Sequence, residues 1–157
     1  MTMSNKKDLI VRAAKKEDMG AVAALIKELA LYEKAPEEAI LSAEDLVRDG
    51  FNRRPSFRCL VAEEEGKILG MACYYERYST WKGKTLFLED LVVQESARRK
   101  GAGKALFETL RTLAKEGGYK RLEWQVLDWN EPAIAFYKKI EGCGLDETWI
   151  NCRIEFS

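Results

Sequence analysis

Histidine is absent from all 157 residues. That removes Ser-His and Cys-His nucleophile pairs, imidazole metal ligands and the side chain that most often acts as a general base near neutral pH. Proton transfer must fall to Glu, Asp, Tyr, Lys, Cys or an ordered water. Cysteine is scarce: Cys59, Cys73, Cys143 and Cys152 form no C-x-x-C pair, and no histidine completes a zinc set, so no metal is expected. Cys59 and Cys73 lie in apolar, strand-like surroundings, where a buried thiol is a small hydrophobe. An excess of either charge is missing too. Lys+Arg and Asp+Glu both total 26, for a formal net charge of +0. So neutral a chain lacks the basic surplus of a nucleic-acid backbone binder. No apolar run approaches the ~18–20 residues needed to span a bilayer, so no membrane partner is expected. Met1–Asp8 is polar with no apolar segment behind it, so no secretory signal is expected and the cysteines read as reduced, in the cytoplasm. The chain does have 46% hydrophobic and 33% charged residues, which suits one soluble domain over residues 1–157.

Periodicity predicts the elements. Leu9-Ile10-Val11 is a short strand. Val22, Leu25, Ile26, Leu29 and Ala30 recur at helical spacing between Met19 and Tyr32, and Lys34-Ala35-Pro36 ends that helix. Ser42 is placed to cap a second helix, with carboxylates in its first turn, which stops at Gly50. Phe57–Glu63 and Ile68–Tyr78 read as strands about a polar turn. Thr85–Val93 is a third, whose alternation puts Leu86, Leu88, Asp90 and Val92 on one face and Phe87, Glu89, Leu91 and Val93 on the other. A helix through Leu106, Phe107, Leu110, Leu113 and Ala114 ends at Gly117-Gly118. Leu122–Leu127 reads as a strand, Asn130–Ile140 as a helix with Pro132 in its first turn, and Trp149–Phe156 as an edge strand. The order is mixed α/β around a largely antiparallel sheet.

One junction carries the most information. The strand at 85–93 runs into Arg98-Arg99-Lys100-Gly101-Ala102-Gly103-Lys104 and then directly into a helix. Free amides at a helix start, with the positive end of the dipole, attract anions, and glycine lets a ligand approach the backbone. Pyrophosphate is the natural guest. A P-loop would need Ser or Thr where Ala105 stands, and a dinucleotide fold a third glycine where Leu106 stands. Neither pattern is met.

The segment instead resembles the acetyl-coenzyme A signature R/Q-x-x-G-x-G/A of the GNAT acetyltransferase superfamily. Tyr74-Tyr75, Trp81-Lys82-Gly83-Lys84, Leu86-Phe87-Leu88-Glu89-Asp90 and Asp128-Trp129-Asn130-Glu131-Pro132 with Tyr137-Lys138 follow in the order seen in diamine (spermidine/spermine) N-acetyltransferases. Ile26-Lys27-Glu28-Leu29-Ala30 with Tyr32-Glu33 is similar to that family's first helix. Ser79-Thr80-Trp81-Lys82-Gly83-Lys84 and Val126-Leu127-Asp128-Trp129-Asn130 resemble the thialysine N-acetyltransferase branch.

The resemblance implies a GNAT fold: a mixed, mostly antiparallel sheet of about six to seven strands flanked by about four helices, splayed at strands 4 and 5. It implies acetyl-coenzyme A as co-substrate. Leu91, Val92 and Val93 would pair with its pantetheine arm as though it were an extra strand. Arg98, Arg99, Lys100, Gly101, Ala102, Gly103 and Lys104 would cradle its pyrophosphate, and Asn130, Pro132 and Ala133 would touch it near the thioester. Tyr137 would donate a proton to the leaving thiolate, against the plain reading that Phe136-Tyr137 packs a helix on the sheet. Glu89 would take the amine's proton, directly or through water; alternation puts it on the strand face opposite Asp90, freeing the two carboxylates for different tasks. Tyr32, Glu33, Trp81, Glu89, Asp90 and Glu147 would meet a cationic acceptor.

Ser79-Thr80 stand where polyamine acetylases of the family carry Asp-Pro, which favours thialysine or a lysine-like amino acid over spermidine and spermine. The expected activity is acetyl transfer to a primary amine by direct attack, in a homodimer. Polyamine acetylation, protein acetylation and a non-catalytic coenzyme A-binding module are the alternatives.

Overall fold

Three consecutive apolar segments meander through the middle of one sheet in the computed structural model, which describes residues 8–157; the Met1–Asp8 reading, save for Asp8, lies outside the described residues. The element order is β1 (Leu9–Ala13), α1 (Met19–Tyr32), α2 (Ala43–Gly50), β2 (Arg58–Glu64), β3 (Lys67–Ser79), β4 (Gly83–Val93), α3 (Ala102–Glu116), β5 (Leu122–Trp124) and α4 (Glu131–Lys138). The strands form a five-stranded sheet in the order β1-β2-β3-β4-β5. Every pairing is antiparallel except β4 with β5, which is parallel. This is the mixed, mostly antiparallel α/β arrangement that the resemblance implied. Contacts divide the chain into two compact units, one ending at Trp124 and one spanning Gln125–Ser157.

Helix boundaries follow local chemistry. The Ser42 hydroxyl accepts the Asp45 N–H at 3.2 Å while the Asp45 carboxylate accepts the Ser42 N–H at 2.9 Å, a reciprocal cap on α2. α1 lays Met19, Val22, Ala23 and Leu25 against Cys59, Val61, Met71 and Val92 of the sheet. α3 covers the opposite face with Leu106 and Leu110, both fully buried. Burying each such side chain contributes about 1.5–3 kcal/mol. Packing on the α3 side is close: a Cβ on Gly70 would meet the Val92 carbonyl oxygen at 2.9 Å and Leu106 Cδ1 at 3.2 Å, which keeps that position to glycine.

Three expectations need correction. The sheet has five strands among the described residues, fewer than six to seven. The expected strand at Trp149–Phe156 does not form; its side chains are exposed, and alternation makes a strand only where a neighbouring edge supplies hydrogen bonds. The strand expected over Leu122–Leu127 stops at Trp124, because its pairing with β4 stops at Leu88. The cause lies one residue on. Leu88 pairs with Tyr74 and Asp90 with Cys73, so Glu89 is an extra residue, a β-bulge that bends β4. Past it, Glu89–Val93 keeps only β3 as a strand partner among the described residues.

Candidate active site

The bulge also overturns the expected alternation. Tyr74 and Cys73 point to opposite faces, so their partners Leu88 and Asp90 do as well. Asp90 therefore joins Phe87 and Val92 on the α1 side. Glu89 turns that way too, since the Tyr75 hydroxyl on that face donates to Glu89 Oε2 at 2.9 Å. The two carboxylates share one side of the sheet rather than opposite ones.

Electrostatics show what has been collected there. Burial, then the charges of Glu89 and Glu33, push the Asp90 carboxyl up to about 6. Burial raises Glu33, at the C-terminus of α1. Burial and the hydrogen bond to Glu89 push the Tyr75 phenol up to about 12, so it stays a donor at neutral pH. Glu89 itself is solvent-exposed despite the apolar run around it. Glu33, Glu89 and Asp90 thus form a partly buried anionic patch suited to an ammonium group. Tyr32, at the end of α1, borders it, with the Arg98 guanidinium 5.6 Å from its ring centroid. Glu28 ties α1 to the turn after β4 by accepting the Glu95 N–H at 2.9 Å.

A second feature lies where β4 ends. Arg99 and Gly101 adopt left-handed backbone, φ +73 and +83, and Gly101 caps α3 without a side-chain hydrogen bond. Arginine in that conformation is strained, a cost often met at ligand-binding turns. Among the described residues no protein acceptor takes the N–H groups of residues 99–104, and Ala105 N–H begins the helical ladder to the Gly101 carbonyl at 3.0 Å. A Cβ on Gly103 would meet only Val93 Cγ2, at an ordinary 3.5 Å. The fold itself therefore does not demand glycine there. Lys100 Nζ pairs with Glu64 at 3.4 Å and Arg98 Nε reaches the Val93 carbonyl at 3.5 Å. Arg99 and Lys104 are exposed, with no ion-pair partner among the described residues. The turn thus presents amide donors with no protein acceptor among the described residues and exposed positive charge, and that donor set fits a diphosphate.

The other expected residues are placed as follows. Trp81, 85% exposed, stands in the β3–β4 hairpin, about 20 Å along the strand from Glu89, so it is not brought to the carboxylates. The Ser79 hydroxyl is spent on that hairpin, accepting the Trp81 and Lys82 N–H groups at 3.2 and 3.1 Å. Asn130, Pro132, Ala133, Tyr137 and Glu147 belong to the second unit. There Asn130 caps α4 by accepting the Ala133 N–H at 3.3 Å, Pro132 occupies its first turn, and the Phe136 and Tyr137 rings meet edge to face at 5.5 Å. Glu147 lies in the exposed segment after α4. Tyr75 was quoted in the sequence only as part of a motif; its tie to Glu89 spans fourteen residues and depends on strand register, which no local pattern reveals.

Burial also pushes the Cys59 and Cys73 thiols well up, to about 12 for Cys59, which leaves neither a nucleophile. No helix of the described residues is long and apolar enough to cross a membrane.

Known proteins fit this arrangement. The chain is similar to a thialysine N-epsilon-acetyltransferase of Bos taurus, 37% identical and covering 94% of this chain and 92% of that one. It is 36% identical to a spermidine/spermine N(1)-acetyltransferase-like protein of Homo sapiens over 81% of this chain, which is 19% of that protein. A solved integron cassette protein from the mobile metagenome of V. cholerae superposes with a TM-score of 0.77, at 28% identity, over 94% of this chain and 93% of that one. The model of the acetyltransferase (GNAT) family matches residues 22–142, a stretch that holds both the bulged carboxylates and the glycine turn. With that match across most of its length, the chain belongs to the acetyltransferase (GNAT) family.

Proposed function

We propose that the protein moves an acetyl group from acetyl-coenzyme A to the primary amine of a small cationic acceptor, thialysine or a lysine-like amino acid, with residues 1–157 acting as one domain. The observation that carries this reading is the set of unpartnered amides at residues 99–104, at the end of a strand whose edge opens at Glu89. Arg98, Arg99, Lys100, Gly101, Ala102, Gly103 and Lys104 hold the diphosphate through amides, dipole and charge. Leu91, Val92 and Val93 offer the open edge of β4 to the amide-bearing arm, and Asn130, Pro132 and Ala133 touch it from the start of α4. The bound carrier supplies an activated acetyl thioester.

The chain's own residues do the rest. Glu33, Glu89 and Asp90 draw the acceptor's ammonium to the sheet, Tyr32 closes one side, and Glu147 adds an acceptor contact outside that cluster. Trp81, about 20 Å along the strand, takes no part in holding so short an acceptor. Glu89, held by Tyr75, accepts the amine proton directly or through one water. Tyr137 gives its phenolic proton to the departing sulfur. Attack is direct, in keeping with the inert Cys59 and Cys73 thiols. Ser79 adds no anion for a long polycation, which sets the lysine-like acceptor ahead of spermidine.

Incubation with acetyl-coenzyme A and a panel of amines, reading free thiol, tests this. Thialysine should outpace spermidine; the reverse order transfers the assignment to polyamines, and reaction with peptides alone removes the small-molecule reading. Tyr137→Phe should lower kcat about tenfold or more while coenzyme A binding holds. Unchanged turnover takes Tyr137 out of the acid role.

A further inference from the structure

The α1 side of β3 and β4 continues past the carboxylates as an aromatic strip ending in a cation. The Tyr75 and Phe87 ring centroids are 5.5 Å apart, and the Arg77 guanidinium carbon lies 4.6 Å from the Phe87 centroid. Register puts Tyr75, Phe87 and Arg77 on the face that carries Asp90. Arg77 is exposed, and among the described residues no carboxylate lies within ion-pair distance of it. Its neighbour Glu76 points to the other face, where the Tyr119 hydroxyl takes it. The charge of Arg77 is felt at the Tyr75 hydroxyl, where it opposes the upward push from burial and Glu89. Arg77 thus stands two residues along the strand from the tyrosine that grips Glu89, roughly 7 Å, the reach of a lysine-like side chain.

We propose that Arg77 is a specificity residue that binds the carboxylate of the acceptor while Glu89 and Asp90 bind its distal amine, so the strip Tyr75–Phe87–Arg77 selects ω-amino acids over diamines. The inference rests on the acetyltransfer reading above and names the recognition it left open. A guanidinium resting on an aromatic ring keeps its in-plane N–H donors free, and its fork matches a carboxylate bidentately. The apolar faces of Tyr75 and Phe87 suit the methylenes between the two charged ends. A diamine offers Arg77 a second cation instead, and like charges repel.

The test compares lysine and thialysine with their decarboxylated diamines, acetyl-coenzyme A being the donor. Arg77→Gln should raise KM for the amino acids about 10- to 100-fold, the range of a lost charge-assisted hydrogen bond. It should also improve kcat/KM for the diamines several-fold, so the preference inverts. Arg77→Lys, which keeps charge but loses the fork, should fall between. Calorimetry in the presence of coenzyme A should show the same weakening of amino-acid binding, independent of turnover. Amino-acid and diamine kinetics that move together in Arg77→Gln, or not at all, overturn the Arg77 assignment and leave the acetyltransfer reading intact. A wild-type protein that acetylates none of the four acceptors overturns both.

Discussion

The two halves of β4 are made from nearly the same kind of sequence and do opposite work. Thr85–Leu88 is buried, paired with β3 on one edge and, at Leu86–Leu88, with β5 on the other. Glu89–Val93 keeps β3 but loses β5, and its first two residues are carboxylates. A single extra residue divides them. Before the bulge the strand is paired on both edges; after it no strand pairs with the edge that β5 leaves, among the described residues, and such an edge suits a ligand. The first half stabilises the fold and the second leaves room for chemistry.

The largest effect expected from testing that division is on stability. Leu88→Ala removes a nearly fully buried side chain and should cost about 2–5 kcal/mol in denaturant unfolding. A loss below about 1 kcal/mol would mean the first half is not the structural one. Glu89→Gln should leave unfolding nearly unchanged yet lower kcat about 100-fold, equivalent to about 2.7 kcal/mol in the barrier. A large stability loss there would erase the contrast.

Asp90 gives the comparison a pH axis. Its folded carboxyl is raised to about 6, so between about 4 and 6 the folded state binds more protons than the unfolded one, and stability falls as pH rises through that window. Asp90→Asn should remove this slope and gain about 2 kcal/mol at pH 8, as urea unfolding at several pH values would show. The smallest effect belongs to the turn beyond β4. Gly103→Asp should weaken coenzyme A binding about tenfold by crowding and repelling phosphate, with thermal unfolding little changed because a Cβ there meets only an ordinary contact. Unaltered affinity would refute the cradle.

Much of this was legible beforehand, for reasons that differ by element. α1 and α2 end where periodicity and caps said they would, since helical bonds join neighbours in the chain. The glycine turn was legible because its donors, glycines and cations are consecutive. Glu89 and Asp90 were visible as residues but not as partners. The tie of Tyr75 to Glu89, the separation of Trp81 from the carboxylates and the nearness of Arg77 to Phe87 all depend on which residue of β3 faces which of β4. The alternation at 149–156 misled because a strand needs a neighbour, and none is present among the described residues.

The sequence by itself determined the helices, the run of strands, the glycine turn and the family, because each is written in short-range spacing or in the order of motifs. Only the tertiary structure decided that β4 carries one residue too many against β3. Register is a property of two segments at once, so no reading of either alone contains it. At that one-residue mismatch the pairing with β5 ends, and Glu89 and Asp90 come to the side of the sheet where Glu33 ends α1.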